Sequence, residues 1–228
     1  MLLSDYLKEI NKNEVLKYLG YKCGKVEPEL LDDIEKCSDE VIRYSVPKVI
    51  YRVFDIDDKS FAFKGTNFIP YGKDIREILS QCQKAVAFAA TIGTEIENII
   101  RRYEVNNLYR ALIIDSCASS AVENVCDNFQ NELEEKINHM GLFITDRFSP
   151  GYGDMPFEQQ KDMCSVLNTS KTIGVCLSRS GIMIPRKSVT AIIGISKEPH
   201  KKRGKGCEYC SMFENCEFRK DGITCGKI

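Results

Sequence analysis

The feature that most limits what this 228-residue chain can build is its longest helical stretch, from Leu108 to about Ile137. The first half of that stretch carries Ser116, Ala118, Ser119, Ser120 and Ala121. Side chains this small let another backbone come close, so the helix is expected to be central and packed on both sides. Glu123 lies within it. A carboxylate on such a face is either a ligand contact or a solvated acid, and both readings stand at this point.

The rest of the chain alternates between two hydrophobic periods. Asp5 to Leu19, with Leu7, Ile10, Val15, Leu16 and Leu19 followed by Gly20, reads as an amphipathic helix. A second helix is expected from Pro28, through Leu30, Leu31, Ile34, Cys37, Val41 and Ile42, to a stop before Pro47. Val49 to Phe54, Phe61 to Phe63 and Thr66 to Ile69 are short β-type runs broken by Asp57-Asp58 and Gly65, suggesting an antiparallel hairpin or meander. A short helix over Ile75 to Cys82, a buried strand from Lys84 to Gly93 and a helix from Thr94 to about Tyr103 precede the long helix. After it come a strand at Leu142 to Thr145, a helix from Phe157 to Leu167, and strands at Thr172 to Ser178 and Val189 to Ser196. Strands and helices interleave without βαβ regularity, which predicts an α+β domain with a largely antiparallel sheet flanked by helices.

Between the strand at Leu142 and the helix at Phe157 runs Arg147-Phe148-Ser149-Pro150-Gly151-Tyr152-Gly153-Asp154-Met155-Pro156. Two prolines and two glycines in ten residues preclude regular structure and require a shaped loop. Such a loop can show backbone N–H and C=O groups to a ligand while Arg147 adds a cationic fork and Tyr152 an aromatic face with a hydroxyl. An ordinary surface turn has a similar composition.

A formal net charge of -1, with 43% hydrophobic and 29% charged residues, describes a globular chain with no electrostatic call for nucleic acid or an anionic membrane. No apolar run approaches the roughly 20 residues of a membrane span, and the start lacks the pattern of a signal peptide, so a cytoplasmic location is expected. Eleven cysteines, an odd total, argue against a disulfide framework in that setting. Residues 1–196 read as one domain, with N-terminal helices over 1–47, and residues 197–228 as a basic linker opening onto Cys207-x2-Cys210-x5-Cys216-x8-Cys225. Thiolates so crowded in a tail without a core suit a metal: an iron-sulfur cluster or zinc, which this spacing does not separate. Four unligated thiols are the alternative. Phosphate-loop, dinucleotide and zinc-protease signatures do not occur, and His139 and His200 sit beside no evident nucleophile. The stretch Glu198-Pro199-His200 does not give the D-x-H-x-x-G pattern of proteins that bind cobalamin through a histidine.

Two segments carry a family resemblance. Arg147-x-x-Pro150-Gly151-Tyr152-x-x-x-Pro156-x4-Lys161 resembles the R-x-x-P-G-Y-x-x-x-P-x4-K signature of the activation domain of vitamin B12-dependent methionine synthase. Leu177-Ser178-x-Ser180-x-x-Met183-x-Pro185-x-x-Ser188-Val189-Thr190 is similar to a later motif of the same family. The similarity is densest over 108–196, and the chain looks like the short, free-standing branch. The resemblance implies an α+β fold with a curved antiparallel sheet and a groove for S-adenosylmethionine. That ligand's methyl group, with one electron from a flavodoxin-type donor, restores methylcobalamin from cob(II)alamin. It further implies that Arg147 holds the ligand's carboxylate, that Ser149 and Gly151 offer backbone contacts, and that Pro150 and Tyr152 shape the pocket. Glu123 would meet the amino group, which makes chemical sense because a zwitterion needs one cationic and one anionic partner.

Two departures accompany the likeness: Gly153 stands where fused enzymes have proline, and Ala191-Ile192-Ile193 stands where they carry aromatic residues. The chain has no room for homocysteine, folate or cobalamin domains, so the implied role is an accessory one, with cobalamin supplied by a partner methionine synthase or corrinoid protein and electrons by a donor protein. The tail cluster would be an internal route for that electron. Alternatives are a non-catalytic sensing or structural module with a zinc-bound tail and a different small ligand, and an autonomous methyltransferase, for which no general base is placed near the loop.

Overall fold

The computed structural model describes residues 6–21 and 26–200. Its centre is a four-stranded sheet in the order β1 (Lys48–Asp55), β2 (Cys82–Thr91), β6 (Ser188–Ser196) and β3 (Phe143–Ile144), with every neighbouring pair antiparallel. A bulge between Cys82 and Lys84 offsets the register of β2 on β6. β4 (Cys176–Leu177) and β5 (Met183–Ile184) form a separate small hairpin. The described residues therefore form an α+β domain with an antiparallel sheet, as the interleaved periods predict.

Pleating sends alternate residues of the two central strands into different cores. Val86, Phe88 and Ala90 of β2, with Ala191, Ile193 and Ile195 of β6, meet the long helix α5 (Leu108–Asn138) and the helices around it. Ala85, Ala87 and Ala89, with Ile192, pack on the opposite side against Phe54, Phe63, Ile75 and Met163. Burial on both faces explains why β2 and β6 read as near-continuous apolar runs. The long helix takes the central position expected of it: α1 (Lys12–Tyr18), α2 (Pro28–Tyr44) and α4 (Glu95–Asn106) cover one side and the sheet the other. Its buried Cys117, Ala118, Ser120 and Ala121 permit that closeness, with Ser120 Oγ donating to Glu14 Oε2 of α1 at 3.0 Å.

Three sequence expectations change in the folded chain. The first helix begins at Lys12, not Asp5, because the Asn11 side chain takes the N–H groups of Asn13 and Glu14 and caps the helix there. Leu7 and Ile10 are still buried, but as irregular chain. The β-type runs between 57 and 69 form no hairpin, only a single bridge between Ile56 and Phe63. The Asp57 carboxylate accepts from the backbone of Lys59 and Ser60, Thr66 Oγ1 accepts from Phe68 N–H, and Phe61 adopts φ 62. This side-chain turn chemistry competes with a ladder and wins, while Phe63 stacks on Phe54 at 5.1 Å and meets Phe68 edge-on at 5.0 Å. The expected strand at Thr172 to Ser178 is mostly the end of α7 (Thr169–Thr172) and a turn. Asn168, left-handed at φ 53, starts that short helix directly after α6 (Gln159–Leu167), and only Cys176 and Leu177 remain extended.

Candidate functional site

β3 is only two residues long, and past it the chain stays beside β6 through a reciprocal pair of hydrogen bonds between Phe148 and Ile192 before turning away. This delivers Arg147 over α5. There its guanidinium donates to Glu123 Oε2 at 2.7 Å, to the Asp127 carboxylate and, more distantly, to Gln130 Oε1 at 3.4 Å. Glu123, Asp127 and Gln130 lie four and three residues apart, on one face of the helix. Burial works against the charge on Arg147, but the hydrogen bond and charge of Asp127 outweigh it, with Glu123 adding, and hold its pKa above the ordinary value.

The loop beyond is shaped by its own backbone. Gly151, at φ 89, donates its N–H to the carbonyl of Met155, Tyr152 N–H donates to Ser149, and Met155 N–H returns to Tyr152. Met155 is buried as the loop's anchor. Asp154 fastens the outer side by accepting from Lys73 N–H at 2.6 Å and Asp74 N–H at 3.0 Å at the start of α3 (Lys73–Leu79). Those bonds hold its carboxyl below the usual aspartate value. Gly153 sits at φ 52, where any side chain strains the backbone, and a Cβ there would also press on the Asp74 carboxylate and stand 3.2 Å from Phe148 Cζ.

Between this loop, α5 and β6 opens a cavity of about 390 Å³. Glu123, Arg147, Ser149, Pro150 and Tyr152 line it. The second motif also lines it, through Met183 of β5 and Ser188, Val189 and Thr190 of β6, together with Gln160 of α6. Two segments far apart in the chain thus meet across one cavity. Gly151, the remaining residue expected there, is not among the lining residues, and its N–H donates to Met155. Tyr18 of α1 stands near the same charges, and burial, followed by Glu123 and Glu14, pushes its hydroxyl up to about 12. A larger hollow of about 670 Å³ beside Tyr71, Lys73 and Arg76 takes only Asp154 from the two motifs.

Several of these residues escaped the reading of candidate sites. The spacing of Asp127 and Gln130 from Glu123 is the signal that would have found them. Met183, Ser188, Val189 and Thr190 were present in the second motif but carried no assigned role. Gln160 and Tyr18 arrive by tertiary packing, for which the sequence has no local sign. Ala191, Ile192 and Ile193 are fully buried in the two cores, so they bring no aromatic group to the cavity. Cys207, Cys210, Cys216 and Cys225, with the 201–228 part of the tail, lie outside the described residues. Among the described residues no group of three or more His, Cys, Asp or Glu is placed to hold a metal. Burial pushes the thiols of Cys82, Cys117 and Cys126 up to about 12, which keeps them protonated as core residues. No described helix is long and apolar enough to cross a membrane.

The architecture and its cavity define a class before they define a family: an α+β domain with an antiparallel sheet and a charged couple at a shaped loop. A solved structure of this class, the MetH reactivation domain bound to AdoHcy, is similar in fold, with a TM-score of 0.55 and 15% identity over 84% of this chain and 74% of that one. A second solved structure, the enone reductase CLA-ER of a gut-bacterial fatty acid saturation metabolism, has 14% identity over 88% and 90% of the two chains but a TM-score of only 0.34, too low to bear on the fold. No curated protein sequence gives a significant match. The family described as vitamin B12 dependent methionine synthase, activation domain, matches residues 75–201, and the chain belongs to it.

Proposed function

We propose that this chain binds S-adenosylmethionine in the cavity between the Arg147 loop and β6, and serves as the reactivation component of a separate cobalamin-bearing methyltransferase. The observation that carries the reading is the Glu123–Arg147 couple at 2.7 Å on the cavity wall. A ligand with a free amino acid end brings a carboxylate and an ammonium, and this couple offers each its opposite charge. Asp127 keeps the guanidinium in place when Glu123 turns to the ammonium. Family membership supports the assignment, as does a fold shared with a domain solved with AdoHcy.

When bound, the ligand supplies a sulfonium methyl group that a reduced corrinoid on the partner accepts, with one electron from a separate donor and S-adenosylhomocysteine as the leaving product. No proton moves in that transfer, so the work of this chain is to hold and orient the ligand. Ser149 and Pro150 close the loop side, Met183 and Val189 give an apolar wall, and Tyr152, two-thirds exposed, stands on the side open to a partner. Replacing Glu123 by glutamine keeps the shape and removes the charge facing the ammonium. The expected result is S-adenosylmethionine binding about tenfold weaker or more by calorimetry, as for loss of a charged hydrogen bond, with an unchanged unfolding temperature. Binding equal to that of the unaltered chain would remove Glu123 from the site.

The same proposal divides the chain into a ligand-binding unit over 1–196 and an appended tail over 197–228. Cys207, Cys210, Cys216 and Cys225 are a ligand set for an iron-sulfur cluster or zinc, and a cluster there would give the chain an electron carrier of its own. Protein purified without oxygen is expected to carry iron and sulfide that are lost on Cys207→Ser while S-adenosylmethionine still binds. Stoichiometric zinc would assign the tail a structural role, and metal-free protein would contradict a metal site.

A further inference from the structure

Thr190 combines three properties found together nowhere else around the cavity. It is only 2% exposed, it lines the cavity, and its hydroxyl is buried without a hydrogen-bond partner among the described residues. The backbone around it is equally particular. On β6 the even-numbered residues turn their N–H and C=O groups toward β3: Gly194 N–H donates to Thr145 Oγ1 at 2.8 Å and its carbonyl accepts from Thr145 N–H at 3.0 Å. Ile192 exchanges both of its bonds with Phe148, at 2.8 and 2.9 Å. Thr190 is the next member of this alternation, opposite Ala89 of β2 in a pair that does not exchange hydrogen bonds. The ladder stops at Phe148, because the chain turns into the loop and Pro150 has no N–H to offer. Among the described residues the edge of β6 at Thr190 is therefore open, and it gives the cavity a backbone donor and a backbone acceptor beside a buried hydroxyl.

Resting on the reading of this cavity as an S-adenosylmethionine site, we propose that Thr190 reads the nucleobase of the ligand. Its backbone N–H and C=O take an edge where a ring nitrogen acceptor stands next to an amino donor, and its hydroxyl completes the set. Arg147 lies level with Ile193, so Thr190 is three strand residues away, roughly 10 Å. That separates the charged groups that suit the amino acid end from the neutral groups that suit a base. The apolar residues of the same lining, Pro150, Met183 and Val189, suit a flat ring. Buried polar groups left unpaired by the wrong ligand are the strongest source of discrimination a pocket has.

The test uses S-adenosylhomocysteine as an unreactive probe, titrated by calorimetry into the full chain, Thr190→Val and Thr190→Ser. It adds the analogue in which inosine replaces adenosine, turning the amino donor into a carbonyl. Thr190→Val is expected to bind S-adenosylhomocysteine about tenfold more weakly, and Thr190→Ser to stay within about threefold of the unaltered chain. The inosine analogue is expected to bind the unaltered chain at least tenfold more weakly than S-adenosylhomocysteine. The ligand-free unfolding temperature of Thr190→Val should be equal or higher, since a methyl replaces an unpartnered buried hydroxyl. A purely packing role would not produce that opposite movement. Equal affinity of Thr190→Val, or equal affinity for the two bases, overturns the proposal and leaves the ligand assignment standing. If the Thr190→Val protein fails to fold, the comparison of bases on the unaltered chain decides alone. No binding of S-adenosylhomocysteine to the unaltered chain overturns both.

Discussion

Replacing Arg147 by alanine is expected to abolish measurable S-adenosylmethionine binding, a loss of at least a hundredfold. The guanidinium is the cation of the cavity wall, fixed by Glu123 at 2.7 Å and by Asp127 on the same helix face. Truncating one partner of a buried charge pair across a binding interface costs about 2–5 kcal/mol, and a ligand carboxylate seated on Arg147 would make such a pair. Here the ligand's carboxylate would also meet Glu123 and Asp127 with no cation between them. Arg147→Lys is expected to fall in between: a point charge can serve one carboxylate, but not two on the helix and a third on the ligand. The fold should survive, since Arg147 belongs to neither core. Calorimetric titration beside a thermal melt checks both halves. Affinity within threefold of the unaltered chain would take the ligand away from this loop.

The second large effect concerns stability. Gly194→Val is expected to destabilise the fold by about 3 kcal/mol, the upper end of what overpacking a filled core costs. A Cβ at Gly194 would stand 2.4 Å from Cys82 Sγ, 3.0 Å from Thr145 Cγ2 and 3.1 Å from Leu79 Cδ2. Thr145 cannot withdraw cheaply, because it is tied to Gly194 through its backbone N–H and its hydroxyl. Any shift passes to Asp146 and Arg147, so residual folded protein should also bind the ligand more weakly. Urea unfolding measures the loss, and Cys82→Ala in the same chain, which removes the nearest atom, should restore part of it. An unchanged midpoint in Gly194→Val would mean that β6 is not packed as described.

What could be read from the sequence follows from how local each cause is. α5, β2 and β6 announce themselves because their apolar patterns run long enough to fix a period. Residues 57–69 mislead because Phe61, Phe63 and Phe68 have strand-like composition, while the geometry is decided by Asp57 and Thr66 reaching their own backbone. Asn11 likewise ends a helix whose apolar spacing would have carried it further. At the site, the proline and glycine pattern around Pro150 and Gly151 declares a shaped loop. Its meeting with Glu123 depends on a helix that precedes it by a whole turn of the chain, and only the family resemblance anticipated that. The open backbone edge of Thr190 is still further from view, since among the described residues it follows from a β3 of two residues and a loop that leaves β6 after Phe148.

The most direct measurement is an equilibrium titration of the full chain, purified without oxygen, with S-adenosylmethionine, alongside S-adenosylhomocysteine and free adenosine. Saturable binding of one molecule per chain is expected for the two amino acid-bearing ligands, and at least a hundredfold weaker binding for adenosine, which offers nothing to Glu123 and Arg147. Adenosine binding as tightly as the other two, or no saturable binding of either at millimolar concentration, would contradict the proposed function.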